Sequence, residues 1–142
     1  MKKAEIIKQI IEIGLIPVVR ATSSDEAMRV IDAIKEGGVS VLEITMTVPG
    51  AVKVMEDVTA KFGADVLVGA GTVLDSETAR ICILAGANFI VSPSTNLETI
   101  APCKRYSVPI MPGALSPQSP VPRGRARAEG YVTGGGEFTV RG

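Results

Sequence analysis

Short apolar runs return along the chain at intervals of roughly 20 to 25 residues, about the length of one strand-plus-helix unit. No other feature limits the fold as strongly. The runs are IPVVR (16–20), VLEITMT (41–47), VLVGAG (66–71), FIVSP (89–93) and PIMPGAL (109–115), and each predicts a strand. They are apolar on both faces, the pattern of a parallel sheet covered by helices, which a doubly wound sheet and a (β/α) barrel both satisfy. Helical signals fill the gaps. Ser23 or Ser24 can cap a helix with Ala27, Val30, Ile31 and Ile34 on one face, closed by Gly37 and Gly38. Asp75 or Ser76 can cap another holding Ala79, Ile83 and Leu84, ending at Gly86. Ahead of the first strand, Ile6, Ile7, Ile10, Ile11 and Ile13 alternate with polar positions up to Gly14, an amphipathic helix over 2–13.

The texture changes after Leu115. Residues 116–142 carry Pro117, Pro120 and Pro122, four arginines and six glycines, with no apolar period, which predicts an irregular tail. The division is therefore 1–115, a partial barrel of about five βα units after the N-terminal helix, and 116–142, a divergent Pro/Arg/Gly-rich segment. RGRAR within it could attract phosphate or RNA, but one short cluster without interleaved aromatics reads as a solvated tail.

Charge and cysteine content narrow the chemistry. Fifteen basic residues balance 15 acidic ones, so no overall field recruits nucleic acid or an anionic membrane. Mean hydropathy is positive at +0.31. Glu5, Lys8 and Glu12 nevertheless break the first apolar stretch, which argues against a leader or a span and for a cytoplasmic location. Cys82 and Cys103 form no CxxC pair and read as buried thiols. With no histidine in the chain, an imidazole base, a Ser-His-Asp triad and a His-ligated zinc are excluded. Carboxylates, lysines and hydroxyls remain.

In parallel α/β folds, ligands bind where the strands end and the following loops gather. The polar and small residues there are Arg20; Glu43, Thr45 and Thr47; Gly69-Ala70-Gly71-Thr72; Ser92-Pro93; and Pro112-Gly113. By the period of two, Glu43, Thr45 and Thr47 share one face of their strand and Leu42, Ile44 and Met46 the other. A carboxylate inside such a strand must be paired, hydrogen-bonded or neutralised by a raised pKa. Two readings follow: a buried bridge from Glu43 to Arg20, or a catalytic acid/base. GAGT lacks the full spacing and the lysine of nucleotide loops, leaving open a close ligand approach or a plain tight turn.

In this order and spacing, PVVR, LEITMTVPGA, VGAGTVLD, AGANFIVSP and PIMPGALSP resemble the 2-keto-3-deoxy-6-phosphogluconate (KDPG) and 4-hydroxy-2-oxoglutarate (KHG) aldolases, over roughly residues 1–117. The resemblance implies a (β/α)8 TIM barrel, commonly trimeric. It implies a class I carbon–carbon lyase that splits a 2-keto-3-deoxy sugar acid phosphate into pyruvate and glyceraldehyde 3-phosphate, or hydroxy-oxoglutarate into pyruvate and glyoxylate. Such enzymes use a Schiff-base lysine and need no metal and no cofactor. The implied partner is a small keto acid, with neither nucleic acid nor membrane involved. Position by position, the resemblance makes Glu43 the general acid/base. Thr47 and Thr72 fall at positions that bind the pyruvate carboxylate end, although some members carry arginine where Thr47 stands. Arg20 would orient the substrate or Glu43, and Ser92, Pro93, Pro112 and Gly113 would line the mouth.

The departure begins beyond the fifth strand. In the family the Schiff-base lysine follows on strand six, whereas the last lysine of this sequence is Lys104, in the helix expected after strand four. TGGG (133–136) resembles a motif found after the family's strand seven but comes too soon after Gly113. The abrupt loss of pattern reads as a shifted frame or a shortened gene, which sequencing around the codon for Pro117 tests. These residues therefore predict an aldolase by descent with little turnover as this chain alone. The alternative is a non-catalytic fragment that associates with itself or with an intact aldolase through open sheet edges. A different phosphate-binding module cradling its ligand on Gly69 to Thr72 is a third possibility.

Overall fold

The computed structural model describes residues 2–114, 130–133 and 138–140. Helix α1 (Lys3–Ile13) turns Ile6 and Ile10 inward and stops at Gly14, whose positive φ of 75° ends the helix while its N–H still bonds Ile10 O at 3.0 Å. Strand β1 is short, Val18–Val19, within the expected 16–20 run. Helix α2 (Ser24–Glu36) is capped by Ser23, not Ser24, through its Oγ and the Glu26 N–H. Strand β2 (Val41–Thr45) stops two residues before the expected end, because the Val48 N–H turns back to Thr45 O at 3.0 Å ahead of Pro49.

Helix α3 (Ala51–Phe62) leads through a single 3₁₀ turn to β3 (Leu67–Gly71). Helix α4 (Ser76–Leu84) is capped by Asp75, which accepts the Thr78 N–H at 2.6 Å. Then follow β4 (Phe89–Ser92), α5 (Leu97–Arg105) with Asn96 as its cap, and β5 (Ile110–Ala114). Strands β1 to β5 are parallel and lie side by side in sequence order, the topology of a (β/α) barrel opened along one side rather than of a doubly wound sheet.

The sheet separates two apolar clusters. On its outer face Val19, Leu42, Ile44, Val68, Ala70, Ile90 and Ile110 pack against the helices, through residues such as Ala27, Ile31, Met55, Cys82 and Cys103. A fully buried Ile31 or Met55 contributes on the order of 1.5–3 kcal/mol, so this layer holds most of the apolar driving force. On the inner face Val41, Leu67, Phe89 and Met111 meet Ile6 and Ile10 of α1, which plugs the end where the strands begin.

Two short strands lie in the region expected to be irregular. Strand β6 (Gly130–Thr133) pairs parallel to β5, with Gly113 opposite Val132, and β7 (Phe138–Val140) pairs antiparallel to β6. This corrects the reading for those residues. Tyr-Val-Thr and Phe-Thr-Val are aromatic and β-branched, and the glycines between them supply a hairpin signal that the surrounding prolines and arginines obscured. The second open edge expected at β5 is thereby covered. The remainder of the 116–142 segment, RGRAR included, lies outside the described residues. Among the described residues no helix is long and apolar enough to cross a membrane.

Candidate active site

The register of the parallel strands puts Val18, Glu43, Gly69 and Phe89 in one row across the inner face, with Thr45 and Gly71 one step further toward the strand ends. Glu43 thus leaves the strand on the barrel side, directed at the opening. Its carboxylate lies over Gly71 of the next strand: a Cβ built there would stand 1.8 Å from Glu43 Oε1. Only a glycine leaves that space. Gly69 has the same property toward Phe89, whose ring would lie 2.1 Å from an added Cβ. GAGT is therefore a pair of indentations, one filled by an aromatic ring and one by a carboxylate.

Burial pushes the Glu43 carboxyl above its ordinary pKa of 4.5, and the positive charge of Arg20 pulls in the opposite direction more weakly. Arg20 is exposed just beyond β1, and among the described residues no ion pair joins it to Glu43. The structural alternative of a buried bridge therefore fails. What remains is a desolvated acid whose burial outweighs the more distant charge of Arg20, so that it holds its proton more tightly than a free glutamate does.

Thr47 stands past the end of β2, exposed, with its Oγ1 2.7 Å from Thr45 Oγ1. Thr72 follows β3 at a φ of 58°, a conformation that β-branched residues rarely adopt. Its neighbours enforce this: Gly71 O accepts the Met46 N–H at 2.9 Å, and the Val73 N–H bonds Val91 O at 3.2 Å. Pro93 and Gly113 touch through the backbone, an added Gly113 Cβ lying 2.3 Å from Pro93 O. Thr95, which the sequence did not single out, ties the same corner by donating to Gly113 O at 3.1 Å.

Ser92 and Pro112 depart from expectation. They pair in register two residues beyond Ile90 and Ile110, so the alternation sets them on the helix-covered face, and Ser92 Oγ is satisfied by Ser94 O at 2.9 Å. The sequence placed them at the mouth because it located the strand ends but not the phase of β4 and β5. Arg20, Thr47, Thr72 and Pro93 follow the ends of β1 to β4, Gly113 lies near the end of β5, and Glu43 leaves the middle of β2 on the inner face.

The family model for KDPG and KHG aldolases matches residues 6–121. The chain belongs to this family. The 2-dehydro-3-deoxy-phosphogluconate aldolase of Treponema pallidum is 38% identical over 104 residues, covering 73% of this chain and 49% of that protein. Its counterpart from Haemophilus influenzae is 30% identical over 115 residues, covering 81% and 54%. Among solved structures, the KDPG aldolase of Legionella pneumophila, with pyruvate captured as a covalent carbinolamine, superposes with a TM-score of 0.65 at 34% identity, covering 71% of this chain and 48% of that one. A native KDPGal structure gives a TM-score of 0.77 at 26% identity, covering 85% and 59%. The chain spans about half the length of the curated aldolases it matches. Its parallel strands and plugging helix thus form part of an aldolase-type barrel, and Glu43 stands on the inner face of the sheet.

Proposed function

We propose that these residues form the acid/base side of a class I aldolase site that handles the pyruvate end of a 2-keto acid, KDPG or 4-hydroxy-2-oxoglutarate. Glu43 moves protons at the keto carbon and at the carbon beside it, while Thr47 and Thr72 receive the carboxylate. Arg20, exposed at the same opening, attracts the anion. The observation that carries the reading is the Glu43 carboxylate, desolvated and unpaired over Gly71 on the inner face of the sheet.

Retro-aldol cleavage breaks the C3–C4 bond and leaves its electron pair on C3. A protonated imine at C2 accepts that pair far better than a neutral ketone does. The seven lysines of this sequence stand on or beside helices: Lys2, Lys3 and Lys8 at α1, Lys35 on α2, Lys53 and Lys61 on α3, and Lys104 on α5. None lies on a strand facing Glu43. The 142-residue chain by itself is therefore expected to bind pyruvate but to release little of it from KDPG or hydroxy-oxoglutarate. Borohydride treatment with pyruvate, followed by mass spectrometry, tests this together with a pyruvate-release assay. A trapped lysine adduct or robust turnover refutes the assignment of the lysines.

One observation favours the second reading, a non-catalytic chain that associates. Strand β1 pairs with β2 alone among the described strands, and Val18 on its inner row is 50% exposed. Size-exclusion chromatography separates the cases: a monomer counts against association, and a trimer supports the assembly that the resemblance implies. Action in the cytoplasm belongs to the keto-acid reading proposed first.

A further inference from the structure

We propose that Thr45 is a positioning residue of this mouth, acting on the ligand through Thr47; the proposal rests on the keto-acid reading above. Thr45 is 1% exposed, on the inner row one step beyond Glu43 and in register with Gly71. Its Oγ1 lies 3.3 Å from Val19 O, at the end of β1, and 2.7 Å from Thr47 Oγ1, in the loop after β2. The side chain therefore bridges the two segments that carry Arg20 and Thr47.

The proton count sets what this bridge does. A hydroxyl donates once, and a carbonyl only accepts. If Thr45 donates to Val19 O, the Thr47 hydroxyl donates to Thr45 and has only lone pairs left for a ligand. If Thr45 donates to Thr47, at the shorter of the two distances, the Thr47 proton is free. A carboxylate offers acceptors alone, so its arrival selects the second arrangement. Thr45 thus fixes where the Thr47 hydroxyl sits and decides whether it can donate. The loop does not need this bridge in order to turn: the Met46 N–H already bonds Gly71 O at 2.9 Å, and the Val48 N–H bonds Thr45 O at 3.0 Å.

The test compares Thr45→Val, which keeps the shape and loses the hydroxyl, with Thr45→Ser, which keeps the hydroxyl. Without ligand, three-bond scalar couplings report the Thr47 χ1 rotamer. One rotamer is expected in the unsubstituted protein and in the serine variant, and averaging in the valine variant. Pyruvate titration followed by NMR is expected to show binding weakened about 5- to 10-fold in Thr45→Val, as for the loss of one neutral hydroxyl–hydroxyl bond that orients the Thr47 donor, and within about 2-fold of the unsubstituted protein in Thr45→Ser. A fixed Thr47 rotamer in a folded Thr45→Val overturns the proposal, as does equal weakening in both variants. Rotamer averaging in the unsubstituted protein overturns it without any variant. If pyruvate leaves the unsubstituted protein unchanged, the keto-acid reading falls, while the couplings still decide whether Thr45 positions Thr47.

Discussion

Replacing Gly71 with alanine separates the two roles a glycine in β3 can have. The added methyl would sit 1.8 Å from Glu43 Oε1, 2.5 Å from its Cδ and 2.8 Å from its Cγ, far inside contact distance. The atoms it meets belong to the outer part of a flexible side chain, so Glu43 can swing aside at the cost of a poorer rotamer and lost packing. Overpacking of this kind costs about 1–3 kcal/mol, and a movable neighbour places Gly71→Ala near the lower bound. The matched variant two residues earlier, Gly69→Ala, drives its methyl 2.1 Å from the Phe89 ring, which is fully buried between β3 and α1 and has nowhere to go. Its loss is expected at about 3 kcal/mol. Urea unfolding measures both, and a carbon-13 pH titration of the Glu43 carboxyl measures what stability cannot. In Gly71→Ala the displaced carboxylate regains water and its pKa falls back toward 4.5; in Gly69→Ala it stays raised. A Glu43 titration unmoved by Gly71→Ala, or moved equally by both variants, refutes the claim that burial over Gly71 sets its proton affinity.

Three further outcomes follow from the same geometry. Because burial raises the folded-state pKa of Glu43, the folded chain holds that proton more tightly than the unfolded one; the contribution is complete below pH 4.5 and is lost as pH rises through the folded pKa. Glu43→Gln removes this loss, so the variant should gain on the unsubstituted protein as pH rises in paired denaturation curves, and parallel curves would sink the idea. Thr72→Gly relieves a positive φ that costs a β-branched residue about 1–3 kcal/mol, offset by about 0.4–1 kcal/mol of unfolded-state entropy, for a net gain near 1 kcal/mol. The same variant should weaken pyruvate binding, and a loss of stability would show that the conformation is unstrained. Deleting residues 116–142 uncovers the β5 edge at Gly113 and Ala114, and larger species are then expected in size-exclusion chromatography; an unchanged elution profile would mean that β6 protects nothing.

Much of this was legible because the determining signals are local. Helix caps at Ser23 and Asp75, the stop at Gly14 and the spacing of five apolar runs are each written within a few residues of the element they define. The inner position of Glu43 was likewise readable from the period of two in β2. What escaped depends on partners distant in sequence. The phase of β4 and β5, which turns Ser92 and Pro112 outward, is fixed by pairing with neighbours and by which side the helices cover. Neither run alternates polar with apolar strongly enough to declare it. GAGT left a close ligand approach and a plain tight turn both open because its glycines answer to Glu43 and Phe89, 28 and 20 residues away. The tail strands were hidden by composition: four residues of Gly-Tyr-Val-Thr carry little weight amid prolines and arginines.

The two faces of the sheet also answer how part of a barrel can exist as a folded body. Its outer layer is closed by its own helices, each joining adjacent strands, so every βα unit buries its outer apolar residues without help from later strands. On the inner face α1 packs the end where the strands begin, and toward the other end Glu43, Thr45 and Gly71 take the place of apolar side chains. Apolar packing is thus concentrated on the side away from the proposed site, and the proposed site lies on the side where polar residues interrupt it. That division explains why a desolvated acid is tolerated over Gly71: the outer core carries the cost of keeping it there. It also means that closure of the ring would bury Glu43 further and move its pKa in the direction it has already gone.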